Sequence, residues 1–180
     1  STLVLCSVRD VEQTLREMEF LFPARCSGAA LAGVFARHPG GATGDAYPGR
    51  LAALGLQDVR GFVKGFIDLV FEHEGRWYLV DYKSNHLGGR YADYGPERLG
   101  EAMAVHHYHL QVHLYLLALH RYLRLRLAGY DYDTHLGGAC YLFVRGMHPE
   151  LGPRFGVFRG LPPRGRIEAL DALLGGGGVS

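Results

Sequence analysis

Gly65-Phe66-Ile67-Asp68-Leu69-Val70-Phe71, Glu72-His73-Glu74-Gly75-Arg76 and Trp77-Tyr78-Leu79-Val80-Asp81-Tyr82-Lys83 follow one another without a break. The outer two pieces belong to aromatic and β-branched runs, 62–71 and 77–82, the composition of strands. The middle piece reads as a tight turn with Glu74 and Gly75 at its centre. A two-residue turn there pairs His73 with Arg76 and, counted outward, Asp68 with Asp81. Period-two alternation then puts Asp68, Asp81 and Lys83 on one face. Directly opposed residues lie about 4.5–5.5 Å apart at Cα. Two carboxylates that close, flanked by Phe66, Ile67, Leu69, Val70, Leu79 and Val80, repel unless something compensates. A divalent cation is the natural candidate. Mg²⁺ takes one or two carboxylates and fills its other positions with water and phosphate oxygens. Lys83 beside such an ion could orient or deprotonate a water, or stabilise charge developing on a phosphate. The bland reading is a pair of solvated edge aspartates with Lys83 as a cross-strand ion-pair partner. Three charged residues converging between apolar neighbours weigh against it.

Outward from the hairpin, the alternation over 17–22 reads as a strand closed by Pro23. Helical pieces are expected near 29–36 and 50–56, with a Gly/Pro-rich loop over 38–50. Residues 96–127 contain no internal proline. Leu110, Leu114, Leu117, Leu119, Tyr115 and Tyr122 give them a broad apolar face, so one long helix is expected, stopped by Gly129. Residues 139–144 read as a buried strand, and 163–174 as an amphipathic helix with Pro163 at its start. The order is that of a mixed α/β domain, a sheet covered by helices. It spans residues 1–174, with 175–180 a flexible Gly-rich tail.

Composition narrows the classes. The 180 residues are 48% apolar and 21% charged, enough for one packed domain. A net charge of +1 excludes a polybasic nucleic-acid module but leaves room for a local basic groove. Cys6, Cys26 and Cys140 have no paired spacing, which disfavours a disulfide framework or thiolate zinc site. No run approaches a membrane span, and residues 1–6 lack a signal-peptide pattern. The chain starts at Ser1 rather than Met, and is read as cut from a larger protein.

Three motifs together resemble a known family: the Gly65–Phe71 run, Val80-Asp81-Tyr82-Lys83-Ser84-Asn85, and Gln111-Val112-His113-Leu114-Tyr115. They look like the nuclease domain of the RecB family, helicase-nuclease subunits of bacterial exodeoxyribonuclease V (RecBCD), within the PD-(D/E)XK nucleases. The likeness continues through Ala118-Leu119-His120-Arg121-Tyr122-Leu123 and Gly137-Gly138-Ala139-Cys140-Tyr141-Leu142-Phe143. It implies the restriction-endonuclease-like α/β fold, a central mixed sheet flanked by helices. Asp68 matches the first metal-binding aspartate, Asp81 the second acidic position and Lys83 the catalytic lysine. The backbone carbonyl of Tyr82 corresponds to a further metal ligand. Gln111 and Tyr115 match the helix motif beside the active site, and their i, i+4 spacing places them on one helix face. The implied activity is Mg²⁺-dependent hydrolysis of unwound single-stranded DNA in double-strand break repair and recombination, with Mn²⁺ or Ca²⁺ as alternative occupants of the site. The implied partners are RecC-like and RecD-like subunits and a RecA-like strand-exchange protein, in the bacterial cytoplasm and away from any membrane. The helicase and its ATP site lie outside this chain.

One element of the family pattern is missing. A metal-binding histidine belongs on a helix upstream of the first aspartate, and neither His38 nor His73 suits it. Its loss with the truncation is expected to weaken metal binding. His106, His107, His109 and His113 cluster on the long helix, but without an H-E-x-x-H pattern packing is the expected role. Glu17 and Glu19 are expected to be exposed. Arg145, Arg154, Arg159, Arg164 and Arg166 could line a phosphate-contacting surface. The cysteines have no evident base partner and are read as core. The rival functional reading is a non-catalytic docking or DNA-threading module of the same fold; a weaker one is a small zinc protein built on the histidines.

Overall fold

The computed structural model describes residues 14–41, 43–56 and 59–175. Strand β2 (Val59–His73) and β3 (Arg76–Lys83) form the expected hairpin. Its turn residues Glu74 and Gly75 have φ of 51° and 76°. Two positive values in succession define the tight turn that matches strand twist, and glycine adopts its half at no steric cost. The turn sets the register, which runs from His73 opposite Arg76 to Leu69 opposite Val80. There the ladder stops, one step short of Asp68 and Asp81. The two aspartates therefore stand where the strands part.

Strand β1 (Thr14–Cys26) pairs antiparallel with β2. The helices are α1 (Gly28–Arg37), α2 (Tyr47–Ala52), α3 (Pro96–Val105), α4 (Tyr108–Arg126), a single turn α5 (Tyr132–His135) and α6 (Arg164–Leu173). Strand β4 (Leu136–Phe143) pairs parallel with β3, and β5 (Val157–Gly160) closes the five-stranded sheet in the order β1-β2-β3-β4-β5. The one parallel pair requires a crossover, and α3 and α4 provide it. The main core lies between sheet and helices: Ile67, Leu79, Tyr141 and Phe143 meet Leu116, Leu117, Leu119, Ile167 and Leu170, all fully buried. A smaller cluster of Leu69, Phe71, Val80, Cys140 and Leu142 covers part of the opposite face.

Three expectations need correction, and one strand was not expected. Pro23 does not close β1, which continues to Cys26 with Pro23 opposite Phe62. It is tolerated because β1 is an edge strand, so its missing N–H is not needed by a second neighbour. The loop over 38–50 is shorter than expected, since α2 begins at Tyr47. The long helix is two helices, broken at His106 and His107. His107 has φ of 54°, and the Tyr47 hydroxyl accepts the backbone N–H of Leu110 at 3.0 Å. A residue far away in sequence thus supplies the N-terminal cap. Strand β5 was not foreseen: four residues beside glycines show too little alternation, and pairing with β4 holds them in place. Of the proposed tail, residues 176–180 lie outside the described residues, as does Cys6. Among the described residues no helix is long and apolar enough to cross a membrane.

The histidines of α4 are packing residues. The Nδ1–H of His113 donates to the His109 carbonyl at 2.6 Å, which leaves Nε2 to accept from Arg166 Nη1 at 3.1 Å. Burial pushes His113 down to about 3 and His109 down to about 4, from 6.5. Both are neutral in the fold, and both take up a proton once the unfolded chain passes below pH 6.5. Their contribution to stability is therefore complete above pH 6.5 and is lost as pH falls toward 4 and then 3. Thermal melts should show this decline, and His113→Gln should flatten it. An unchanged slope in that variant would remove His113 from the account.

Candidate active site

Strand β3 carries Asp81 and Lys83 on the face that meets α4, where Leu79 and Trp77 also join the main core. The Lys83 ammonium lies 2.5 Å from Asp81 Oδ2 and donates to Gln111 Oε1 at 2.8 Å. Gln111 Nε2 donates to the Tyr115 hydroxyl at 2.9 Å, and the Tyr141 hydroxyl donates to Gln111 Oε1 at 3.2 Å. The α4 spacing thus brings Gln111 and Tyr115 onto the sheet at the same point as the β3 pair. The four residues Asp81, Lys83, Gln111 and Tyr115 form one continuous polar chain.

Asp68 reaches the same place by an irregularity. Arg16 pairs with Leu69 and Met18 with Ile67, but Glu17 and Asp68 between them do not pair, and Glu17 has φ of 50°. Alternation slips here. Ile67 and Val70 both enter the main core, while Leu69 and Phe71 enter the cluster on the other face. Counting back from Val70 places Asp68 on the α4 side with Asp81. Its Oδ2 accepts the backbone N–H of Tyr82 at 2.8 Å, across the gap left by the ended ladder.

The two carboxylates differ. Asp81 is 4% exposed, and its Oδ2 is ion-paired with the Lys83 ammonium at 2.5 Å and bonded to no other group among the described residues. Burial raises its carboxyl above the usual range. Lys83 opposes that shift, and the Asp68 charge adds to it. A buried carboxylate oxygen is costly unless a cation meets it, and here the Lys83 ammonium does. Asp68 is partly exposed and satisfied by a backbone donor. Tyr115 and Tyr141 are held as neutral phenols, raised first by burial and then by Asp81.

The remaining candidates do not join this group. Among the described residues no set of three or more His, Cys, Asp and Glu is arranged to hold a metal ion, so the acidic pair stands alone. His38 caps the C-terminus of α1 and its carbonyl accepts from Arg166; His73 adjoins the hairpin turn. Glu19 is exposed and pairs with Lys64 at 2.6 Å, and Glu17 is exposed. Arg166 is buried, and Arg164 is committed to Asp131, Asp133 and Glu168. Neither is available to a phosphate. Exposed Arg145, by contrast, donates to the Ser84 carbonyl at 2.8 Å, directly after β3.

The sequence reading missed three contributors. Tyr108 places its ring 4.0 Å from Lys83 Nζ, Tyr141 places its own at 5.0 Å, and Asn85 accepts from the Tyr108 hydroxyl. Tyr141 shares a strand face with Ala139 and Phe143. Tyr108 lies three residues before Gln111, on the same side of the helix.

Residues 11–169 match the family model of the PD-(D/E)XK nuclease superfamily. Curated relatives carry the name RecBCD enzyme subunit RecB. The Escherichia coli K12 protein is 51% identical over 68% of this chain, and the Haemophilus influenzae Rd protein 48% over 67%. The Mycobacterium tuberculosis H37Rv protein is 44% identical over 96% of it. The chain spans only 10%, 10% and 17% of these relatives' lengths, respectively.

Proposed function

The chain belongs to the PD-(D/E)XK nuclease superfamily, and on that footing we propose that it is a Mg²⁺-dependent DNA nuclease domain of exodeoxyribonuclease V type. Residues 1–174 make up the domain. Asp68 and Asp81 would hold the cation, and the observation that carries this reading is the meeting of the two carboxylates beside Lys83, where the β2–β3 ladder ends. The Tyr82 carbonyl suits a third ligand. The N–H and C=O of an extended residue face the same edge, and the Tyr82 N–H already points to Asp68. An all-oxygen donor set with two carboxylates fits Mg²⁺, with Mn²⁺ or Ca²⁺ as substitutes. A divalent ion held there supplies Lewis-acid polarisation of the phosphate and of the attacking water.

The protein's own groups do the rest. Lys83 presents a fixed positive charge where negative charge develops on the phosphate oxygens. Gln111 takes one Lys83 donor and is itself braced by Tyr115 and Tyr141, so the ammonium cannot swing away from the site. By likeness to the RecB nuclease domain we assign unwound single-stranded DNA as substrate. The relatives' name places RecB in a multi-subunit enzyme. By that likeness RecC-like and RecD-like subunits, and a RecA-like strand-exchange protein, are partners in recombinational repair in the bacterial cytoplasm. Leu21, Phe62 and Phe66, exposed on the outer face of the β1–β2 ribbon, offer an apolar surface for such docking.

End-labelled single-stranded and duplex oligonucleotides, incubated with the chain and Mg²⁺, Mn²⁺ or Ca²⁺, test the proposal. Cleavage of the single strand with Mg²⁺ and none with a chelator is expected. Cleavage that survives chelation would sink the metal-dependent reading. Metal binding without any cleavage would favour the docking module instead.

A further inference from the structure

We infer that Tyr108 is a positioning residue for Lys83, its ring completing a cage that holds the lysine as an oriented cation. The inference rests on the proposed nuclease reading for its activity arm alone. A lysine ammonium has three donors and no acceptor, on a flexible four-carbon stem. The structure gives it three kinds of acceptor: the Asp81 carboxylate at 2.5 Å, the Gln111 carbonyl oxygen at 2.8 Å, and the face of the Tyr108 ring at 4.0 Å. Tyr141 adds a second ring at 5.0 Å.

The ring is itself fixed from several sides. It packs against Tyr141 and Phe143 at 6.1 and 6.3 Å between centroids and stacks on His106 at 5.3 Å. Its hydroxyl donates to Asn85 Oδ1 at 3.1 Å. Asn85 is tied in turn: its carbonyl accepts from the Tyr94 hydroxyl, which also accepts the Leu87 N–H at 3.2 Å. Tyr108 also sits at the start of α4, just past the break at His107. The helix break therefore has a consequence for the site, since it sets the angle at which this ring meets β3. A quadrupole face beneath the charge attracts it without neutralising it. Lys83 thus stays available to a phosphate while its position is held.

The chain has two lysines, Lys64 and Lys83. Lysine labelled with ¹³C at Cε therefore gives two Hε–Cε signals in the 180-residue chain, and Lys64→Arg assigns them. The Lys83 signal should be displaced by the Tyr108 ring current. Tyr108→Phe should keep that displacement, and Tyr108→Leu should lose most of it. In parallel, Tyr108→Leu should lower kcat for single-stranded DNA about 10-fold with KM little changed, because the ring acts through Lys83 and not on bound DNA. Tyr108→Phe should restore most of kcat. If the leucine variant does not fold, Tyr108→Gln carries the same comparison at this partly exposed position. An unmoved Lys83 signal with parental kcat in the leucine variant would overturn the inference. So would a phenylalanine variant as impaired as leucine, which would transfer the role to the Asn85 tether. If the parent chain cuts no DNA while the Lys83 signal behaves as stated, the nuclease reading fails and the positioning stands.

Discussion

Lys83→Ala should slow DNA cleavage by roughly 10²–10⁴-fold while leaving metal affinity at pH 8 unchanged or slightly higher. The lysine contributes no ligand. It contributes a positive charge 2.5 Å from a carboxylate oxygen of Asp81. Removing it relieves repulsion between two cations that share one carboxylate, so a bound ion should lose nothing. The transition state loses the charge that meets the developing phosphate negative charge. The pH dependence should shift as well, with a definite sign. Lys83 is the influence that lowers the Asp81 carboxyl against burial and the Asp68 charge. Without it the carboxyl holds its proton to higher pH, and metal competes with that proton. Metal affinity of Lys83→Ala should therefore fall more steeply than the parent's as pH drops from 8 toward 6. Calorimetric titration with Mn²⁺ at two pH values, paired with single-turnover cleavage, reads both effects. Parental cleavage by Lys83→Ala would reduce the lysine to an ion-pair partner of Asp81.

The hairpin was legible in the sequence because turn chemistry and strand composition agree there. Glu74-Gly75 set a register that the structure reproduces from His73 to Leu69. The helix pair Gln111 and Tyr115 was legible for the same kind of reason, since i, i+4 spacing needs only local geometry. The features that escaped are set by tertiary structure. Strict alternation does place Asp68 on the Asp81 face, but it gives no hint of the slip at Glu17 and Asp68. That slip is a joint irregularity of two strands distant in sequence, and it lets Ile67 and Asp68 serve the same side of the sheet in succession. Nor can a helix pattern over 96–127 show a cap donated from Tyr47. Nothing in their own segments marks out Tyr108 or Tyr141, and their meeting over Lys83 exists only once β3, β4 and α4 are assembled. Propensity and periodicity give segments; the polar details of a site lie between them.

Asp81→Ala should abolish metal-dependent stabilisation of the fold as well as cleavage, and the stabilisation is measurable without any substrate. An ion that binds only the folded chain raises stability by about 2.7 kcal/mol when present at roughly 100 times its dissociation constant. For a domain of this size that corresponds to a rise in Tm of about 5–10 °C. The parent chain should show that rise with Mg²⁺ or Mn²⁺. Asp81→Ala should show none, since it removes one of the two carboxylates that would hold the ion. Without metal its Tm should move little. The variant removes a carboxylate whose charge burial disfavours, and Lys83 keeps its bond to Gln111 and its contacts with two rings. Asp68→Ala should behave differently in the metal-free state. It gives up the acceptor for the Tyr82 N–H, so it should lose about 1 kcal/mol of stability even before metal is added. It should also lose most of the metal-induced rise. The pair of variants thus separates the two aspartates by what each does when no ion is present: one is buried against the Lys83 ammonium, the other holds the parted strands together through a backbone N–H. If both variants keep the full metal-induced shift, the ion binds elsewhere and the carboxylate pair is not its site. If Asp81→Ala instead melts far below the parent without metal, its contact with Lys83 is a structural ion pair on which the fold depends.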